Sequence, residues 1–119
     1  MVVLDFWYVG CIPCREQFPQ LRRLCAQYAG KPFSIVGITA DEVRGEWEKF
    51  LKKEQLPWAQ WYSGRGGVVA GWNVTTFPTR YLIDHKGIIR DSNGLEDNAF
   101  DRLVQKLVTD SEGDVGRGR

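Results

Sequence analysis

Residues 2–14 read Val2-Val3-Leu4-Asp5-Phe6-Trp7-Tyr8-Val9-Gly10-Cys11-Ile12-Pro13-Cys14, and this stretch decides the fold. Apart from Asp5, the first seven residues are apolar on both faces and rich in strand-forming side chains. That is the pattern of a strand buried on both sides in a parallel sheet. The turn Gly10-Cys11-Ile12-Pro13 ends the strand. A helical pattern follows, in which Phe18, Leu21, Cys25 and Tyr28 recur at spacings of three and four, with Pro13 near the start and Gly30 past the end. Pro19 is expected to kink this helix.

Working outward, Phe33 to Thr39 reads as a second buried strand. Asp41 is the expected N-cap of a helix whose inner stripe is Val43, Trp47, Phe50 and Leu51. Leu56 to Tyr62 fits either a short strand or an extended loop. Gly64-Arg65-Gly66-Gly67 marks a loop, with a helical turn around Val69 to Trp72. Thr79 to Asp84 and Gly87 to Arg90 predict an antiparallel hairpin turning at His85-Lys86-Gly87. Phe100, Leu103, Val104, Leu107 and Val108 place a last helix over about Glu96 to Val108. The remainder is small, polar and glycine-rich, so one domain over residues 1–108 and a disordered tail over 109–119 are expected. The order β-α-β-α-(β)-β-β-α implies an α/β fold. Its central sheet is mixed, with a C-terminal antiparallel hairpin and helices on both faces.

Composition narrows the function classes. The chain has 119 residues at 43% hydrophobic and 26% charged, which suits one globular core rather than a disordered or fibrous chain. Sixteen basic against fifteen acidic residues leave a net charge of +1, so electrostatics give no reason to expect nucleic acid or an anionic membrane as partner. No apolar run approaches the ~18 residues of a membrane span. Three cysteines are too few for a disulfide scaffold and cannot all pair within the chain.

Cys11-Ile12-Pro13-Cys14 carries the functional reading. Unpaired N–H groups at a helix N-terminus stabilise a thiolate, so Cys11 is expected to be the nucleophile with a lowered pKa. Cys14, inside the first turn, is the more shielded thiol that resolves a mixed disulfide. Zinc needs four ligands, and beyond this pair the only others of the usual cysteine and histidine kinds are Cys25, on the inner stripe, and His85, in a turn. No metal site is therefore expected. A c-type haem site needs histidine after Cys14, where Arg15 stands. A purely structural bridge across so short a loop gains little entropy. Cys25 reads as a small core hydrophobe, with a second disulfide partner as the alternative.

Asp5-Phe6-Trp7, the Cys11 to Cys14 motif and Pro19 together resemble the active-site segment of the thioredoxin superfamily. Val36-Gly37-Ile38 leading to Asp41, Leu56-Pro57-Trp58, and Phe77-Pro78-Thr79 leading to Leu82-Ile83-Asp84 and Gly87 are similar to its bacterial TlpA/ResA-like branch. The match covers about residues 2–108. It implies a thioredoxin-like three-layer fold and a monomeric thiol-disulfide oxidoreductase whose only redox group is the Cys11–Cys14 pair, with no further cofactor. It implies a protein disulfide as substrate, an upstream thiol reductant, and a place outside the bacterial cytoplasm, the cytoplasm being the alternative. Cys11 is then the exposed nucleophile. Pro78 matches a cis proline lying against the dithiol, the alternative being a trans proline that starts a strand. Substrate would dock on Thr76, Phe77, Pro78, Trp7, Ile12 and Pro13. A complete domain of this family normally carries further elements before its active-site strand, so the chain is expected to lack its N-terminal elements.

Asp5 is the third catalytic candidate. Burial raises a carboxyl pKa, so this aspartate could hold a proton near neutrality and serve Cys14 as base and acid. The plain alternative is an aspartate bonded locally near a strand end. Gly10 departs from the family's usual tryptophan before the first cysteine, which leaves the docking surface more open. Tyr8 and Trp72 are the candidates to fill it. Two rival functions are a non-catalytic interaction module and a peroxidase. The latter needs Pro-x-x-x-Thr/Ser-x-x-Cys, but Leu4 and Tyr8 precede Cys11 at those offsets, and Trp7 and Cys11 precede Cys14.

Overall fold

The computed structural model describes residues 1–93 and 95–117. Five strands form one sheet: β1 (Val2–Trp7), β2 (Ser34–Thr39), β3 (Ala59–Tyr62), β4 (Thr79–Ile83) and β5 (Ile89–Ser92), in the order β3-β2-β1-β4-β5. The first three are mutually parallel, while β4 is antiparallel to β1 and β5 to β4. The strand that is apolar on both faces apart from Asp5 is central, where both of its faces are covered. The segment from Leu56 to Tyr62 thus resolves into an edge strand.

The helices are α1 (Ile12–Glu16), α2 (Phe18–Gln27), α3 (Arg44–Glu54), α4 (Gly67–Gly71) and α5 (Asp97–Arg117). The steps β1 to β2 and β2 to β3 move across the sheet in one direction, so right-handed crossovers put α2 and α3 on the same face. The larger core lies there: Val3 and Trp7 of β1 pack with Cys14, Phe18, Leu21, Trp47, Phe100 and Leu107. The opposite face carries Phe6, Ile38, Val69 and Val74 beneath the short α4.

Four local expectations need correction. The helix after the dithiol breaks at Gln17, and Pro19 sits in the first turn of α2, where its missing N–H falls among donors that are unbonded anyway. Asp41 does not cap α3. The N-cap residue is Val43, extended and exposed, and the Asp41 carboxylate is occupied elsewhere. Of the expected stripe, Trp47 is buried and Phe50 and Leu51 pack against the core, but Val43 does not.

The largest difference is at the C-terminus. Instead of a disordered tail from residue 109, α5 continues to Arg117. Ser111 extends the stripe of Leu107 and Val108 and is buried, Lys31 pairs with Glu112 at 3.2 Å, and His85 contacts Asp114. A polar composition hid a helix face that still has a core side. Residues 118 and 119 of that expected tail lie outside the described residues.

Candidate active site at the end of the central strand

The dithiol follows directly from the C-terminal end of β1. Tyr8 accepts a backbone hydrogen bond from Cys11 at 3.1 Å, and Cys11 then caps α1, its sulfur accepting from the Cys14 amide at 3.2 Å. Cys11 and Cys14 are joined as a disulfide with Cα atoms 5.3 Å apart. The amide aimed at Cys11 would stabilise negative charge on that sulfur once the bond is reduced. Cys11 was expected to be exposed. In this oxidised state it is 2% exposed, because its sulfur turns inward to cap the helix and bond Cys14. The exposed part of the motif is Ile12, at 58%, with Gly10 and Pro13.

The Phe77–Pro78 bond is cis. Phe77 meets Tyr8 edge-on with ring centroids 5.4 Å apart, which ties the proline loop to the dithiol loop. The same Tyr8 ring lies 3.6 Å from where a Cβ on Gly10 would sit. Tyr8 therefore occupies surface beside the missing tryptophan, whereas Trp72 packs with Phe6 and Tyr81 on the other face of the sheet. Thr76 is exposed, and its carbonyl accepts from the Thr79 hydroxyl at 2.7 Å.

Trp7 does not belong to a docking surface. It is fully buried against Phe18 and Phe50, and its indole N–H donates to Gln60 at 3.2 Å. Strand alternation explains this, since Trp7 shares the inward face with Val3 and Asp5.

Asp5 is buried completely on that same face, and neither carboxylate oxygen has a hydrogen-bond partner among the described residues. Burial pushes its pKa up to about 7, with the charge of Arg80 pulling the other way. The local-bonding alternative for Asp5 is thus not what the structure has. Cys25 is a free thiol, half-buried, and burial pushes its pKa up, away from reactivity.

Three further residues shape the site. Asp41 holds the dithiol loop through the Val9 amide, Gln60 anchors Trp7, and Arg80 faces Asp5. Arg80 had a sequence signal: it alternates with Leu82 on the inward side of an otherwise apolar strand.

A family model described as "AhpC/TSA family" matches residues 1–92. The chain belongs to the AhpC/TSA family. Among its relatives, a protein named thioredoxin-like protein YneN from Bacillus subtilis is 31% identical over 93 residues, covering 76% of this chain and 54% of that protein. A thiol-disulfide oxidoreductase ResA from Bacillus thuringiensis is 30% identical over 94 residues, covering 78% and 54%. The chain thus spans about half the length of the curated relatives it matches. The fold is thioredoxin-like, as in a solved structure titled a putative thiol:disulfide interchange protein DsbE from Chlorobium tepidum. That structure has a TM-score of 0.82 and 27% identity, with 90% of this chain and 79% of that one covered. A thiol-disulfide oxidoreductase from Bacteroides fragilis superposes with a TM-score of 0.75 at 30% identity, covering 89% and 80%.

Proposed function

We propose that this AhpC/TSA-family chain is a thiol-disulfide oxidoreductase that reduces protein disulfides by cycling between the Cys11–Cys14 disulfide and the dithiol. The observation that carries this reading is the disulfide that follows the end of a buried strand, with the Cys14 amide 3.2 Å from the Cys11 sulfur and, within that strand, the buried Asp5 carboxylate without a hydrogen-bond partner among the described residues.

In the reduced form the Cys11 thiolate attacks one sulfur of a substrate disulfide. A mixed disulfide forms and the first substrate thiolate leaves. Asp5 takes the proton of Cys14, whose thiolate attacks the Cys11 sulfur. The second substrate thiolate departs, protonated from Asp5 or solvent. Two electrons pass from the dithiol to the substrate, and an upstream dithiol reductant restores Cys11 and Cys14 by the same exchange in reverse. The chemistry needs only the two sulfurs and one proton carrier, so no further cofactor is invoked.

Ile12, Pro13, Thr76, Phe77 and Pro78 offer an open edge for an extended substrate chain, whose side chains would meet apolar surface and whose backbone would meet that of the proline loop. Two hollows, one lined by Asp84, His85 and Arg90 and the other by Cys25, Phe33 and Trp58, lie toward the opposite end of the sheet. The TlpA/ResA-like resemblance of the sequence implies a place outside the bacterial cytoplasm, and we read the chain as a monomer there.

Insulin reduction by dithiothreitol, followed as turbidity, tests the activity. The wild-type chain accelerates it, and a rate no greater than that of Cys11→Ser removes the enzymatic reading. The peroxidase alternative draws no support from the site, because Tyr8 stands where that chemistry needs a Thr or Ser hydroxyl near Cys11.

A further inference from the structure

A buried carboxylate in the middle of a strand is driven toward its neutral form, and any fixed charge nearby decides how far. Asp5 and Arg80 are directly opposed in the antiparallel β1–β4 register, so their side chains leave the sheet on the same face. Arg80 is itself only 5% exposed. Its guanidinium does not close onto the carboxylate, whose two oxygens remain without hydrogen-bond partners. Instead Nη1 donates to Gln20 Oε1 at 2.9 Å, and the guanidinium carbon lies 3.9 Å from the centre of the Phe100 ring. Gln20 is fixed in turn: its amide nitrogen donates to the Asp97 carbonyl at 3.3 Å and to the Asp101 carboxylate at 3.0 Å, and Arg23 pairs with Asp101 at 2.7 Å.

We infer that Arg80, held by Gln20 and Phe100, is a positioning residue that sets the pH at which Asp5 accepts the proton of Cys14. The proton transfer itself rests on the oxidoreductase reading above. The guanidinium stands near enough to favour the carboxylate but is held back from neutralising it in a salt bridge, which would leave Asp5 too weak a base at neutral pH. The charges around this cluster are Arg80 from β4, Asp91 from β5, Asp97 and Asp101 from α5, and Arg23 from α2. Gly37 and Thr39 from β2, Trp47 and Phe50 from α3, and the cysteine sulfurs bring none. Burial lowers the Arg80 pKa, against which Asp5 and then Asp97, Asp91 and Asp101 favour its charged form, while Arg80 opposes the effect of burial on Asp5. Removing the cation leaves burial unopposed, so Asp5 holds its proton to higher pH and Cys14 resolves more slowly at neutrality.

The test follows the ¹³C resonance of the Asp5 carboxyl through a pH titration of the full chain in its disulfide form, a readout that needs no turnover. In Arg80→Met and in Arg80→Gln the midpoint rises by about one pH unit, roughly tenfold tighter proton binding, while in Arg80→Lys it stays near the wild-type value. A midpoint that does not move in either neutral variant overturns the inference, whatever those substitutions do to stability. In the wild-type chain the Arg80 guanidinium ¹⁵N signals follow the same midpoint. Signals that stay flat through it also overturn the inference, without any variant having to fold. A chain that shows these shifts but does not reduce insulin contradicts the oxidoreductase reading alone.

Discussion

The Val9 amide donates to both oxygens of Asp41, at 3.2 and 3.1 Å, so one carboxylate beyond the end of β2 holds the loop that delivers Cys11. The Thr39 hydroxyl bonds the same carboxylate, and the Asp41 amide returns a bond to Thr39 at 3.1 Å. Asp41→Ala removes the acceptor and leaves the Val9 amide without its partner. Hydrogen bonds to charged acceptors contribute about 1.5–3 kcal/mol, so a loss of that order in urea unfolding is expected. Faster hydrogen exchange at Val9 should accompany it, and an unchanged Val9 exchange rate would show that the clamp is not what orders the loop.

Asp5 makes stability depend on pH in a definite direction. Its pKa is raised from 3.8 to about 7 on folding, so the native state holds a proton that the unfolded chain has released. Below pH 3.8 Asp5 is protonated in both states. As pH rises toward 7 its contribution is lost, by up to roughly 4 kcal/mol, and above 7 no further change comes from this group. Denaturation of the oxidised chain should show this decline between pH 4 and 7, and Asp5→Asn should lack it and exceed the wild-type stability at pH 8. A wild-type profile that parallels Asp5→Asn contradicts this account of Asp5.

Gly37 lies under Gln60: a Cβ there would stand 2.6 Å from Gln60 Oε1, the atom that accepts the Trp7 indole N–H. The amide side chain can swing away, but the Trp7 bond goes with it. Gly37→Ala should therefore cost about 1–2 kcal/mol, the price of an unpartnered buried N–H. Gln60→Leu should cost a similar amount, and the double variant should cost less than the two together. Additive losses in a double-mutant cycle would mean that Gly37 is needed for another reason.

The carboxyl-terminal part of α5 is a packed element. Deleting residues 110–119 strips away Ser111, which is buried, and the contacts of Glu112 with Lys31 and of Asp114 with His85. A fall in Tm of several degrees is expected, corresponding to about 1–2 kcal/mol. A truncated chain with the full-length Tm would restore the reading of these residues as a tail.

The parts of this fold that the sequence made legible rest on strong local signals. The doubly apolar strand before Cys11 is central, the stripe from Phe18 to Leu21 faces the core, and the hairpin forms around Gly87, whose φ of 82° suits glycine. What stayed hidden depends on partners far along the chain. Asp41 looks like a helix cap until Val9, 32 residues earlier, is seen bonded to it. Trp7 looks like a groove wall until its alternation with Asp5 and its bond to Gln60, 53 residues later, put it inside. Ser111 reads as tail because one buried polar residue among charges gives no period to count. The dithiol was legible because its chemistry lies in four adjacent residues, whereas Arg80 matters only across a strand pairing.

The central claim is that the Cys11–Cys14 pair is a working redox couple rather than a fixed staple. Its equilibrium reduction potential, measured against a graded dithiothreitol couple with thiol alkylation and mass readout, tests this most directly. The account predicts about −270 mV, in the range of reducing thioredoxin-like pairs. A value well below about −300 mV, typical of structural disulfides, would contradict it.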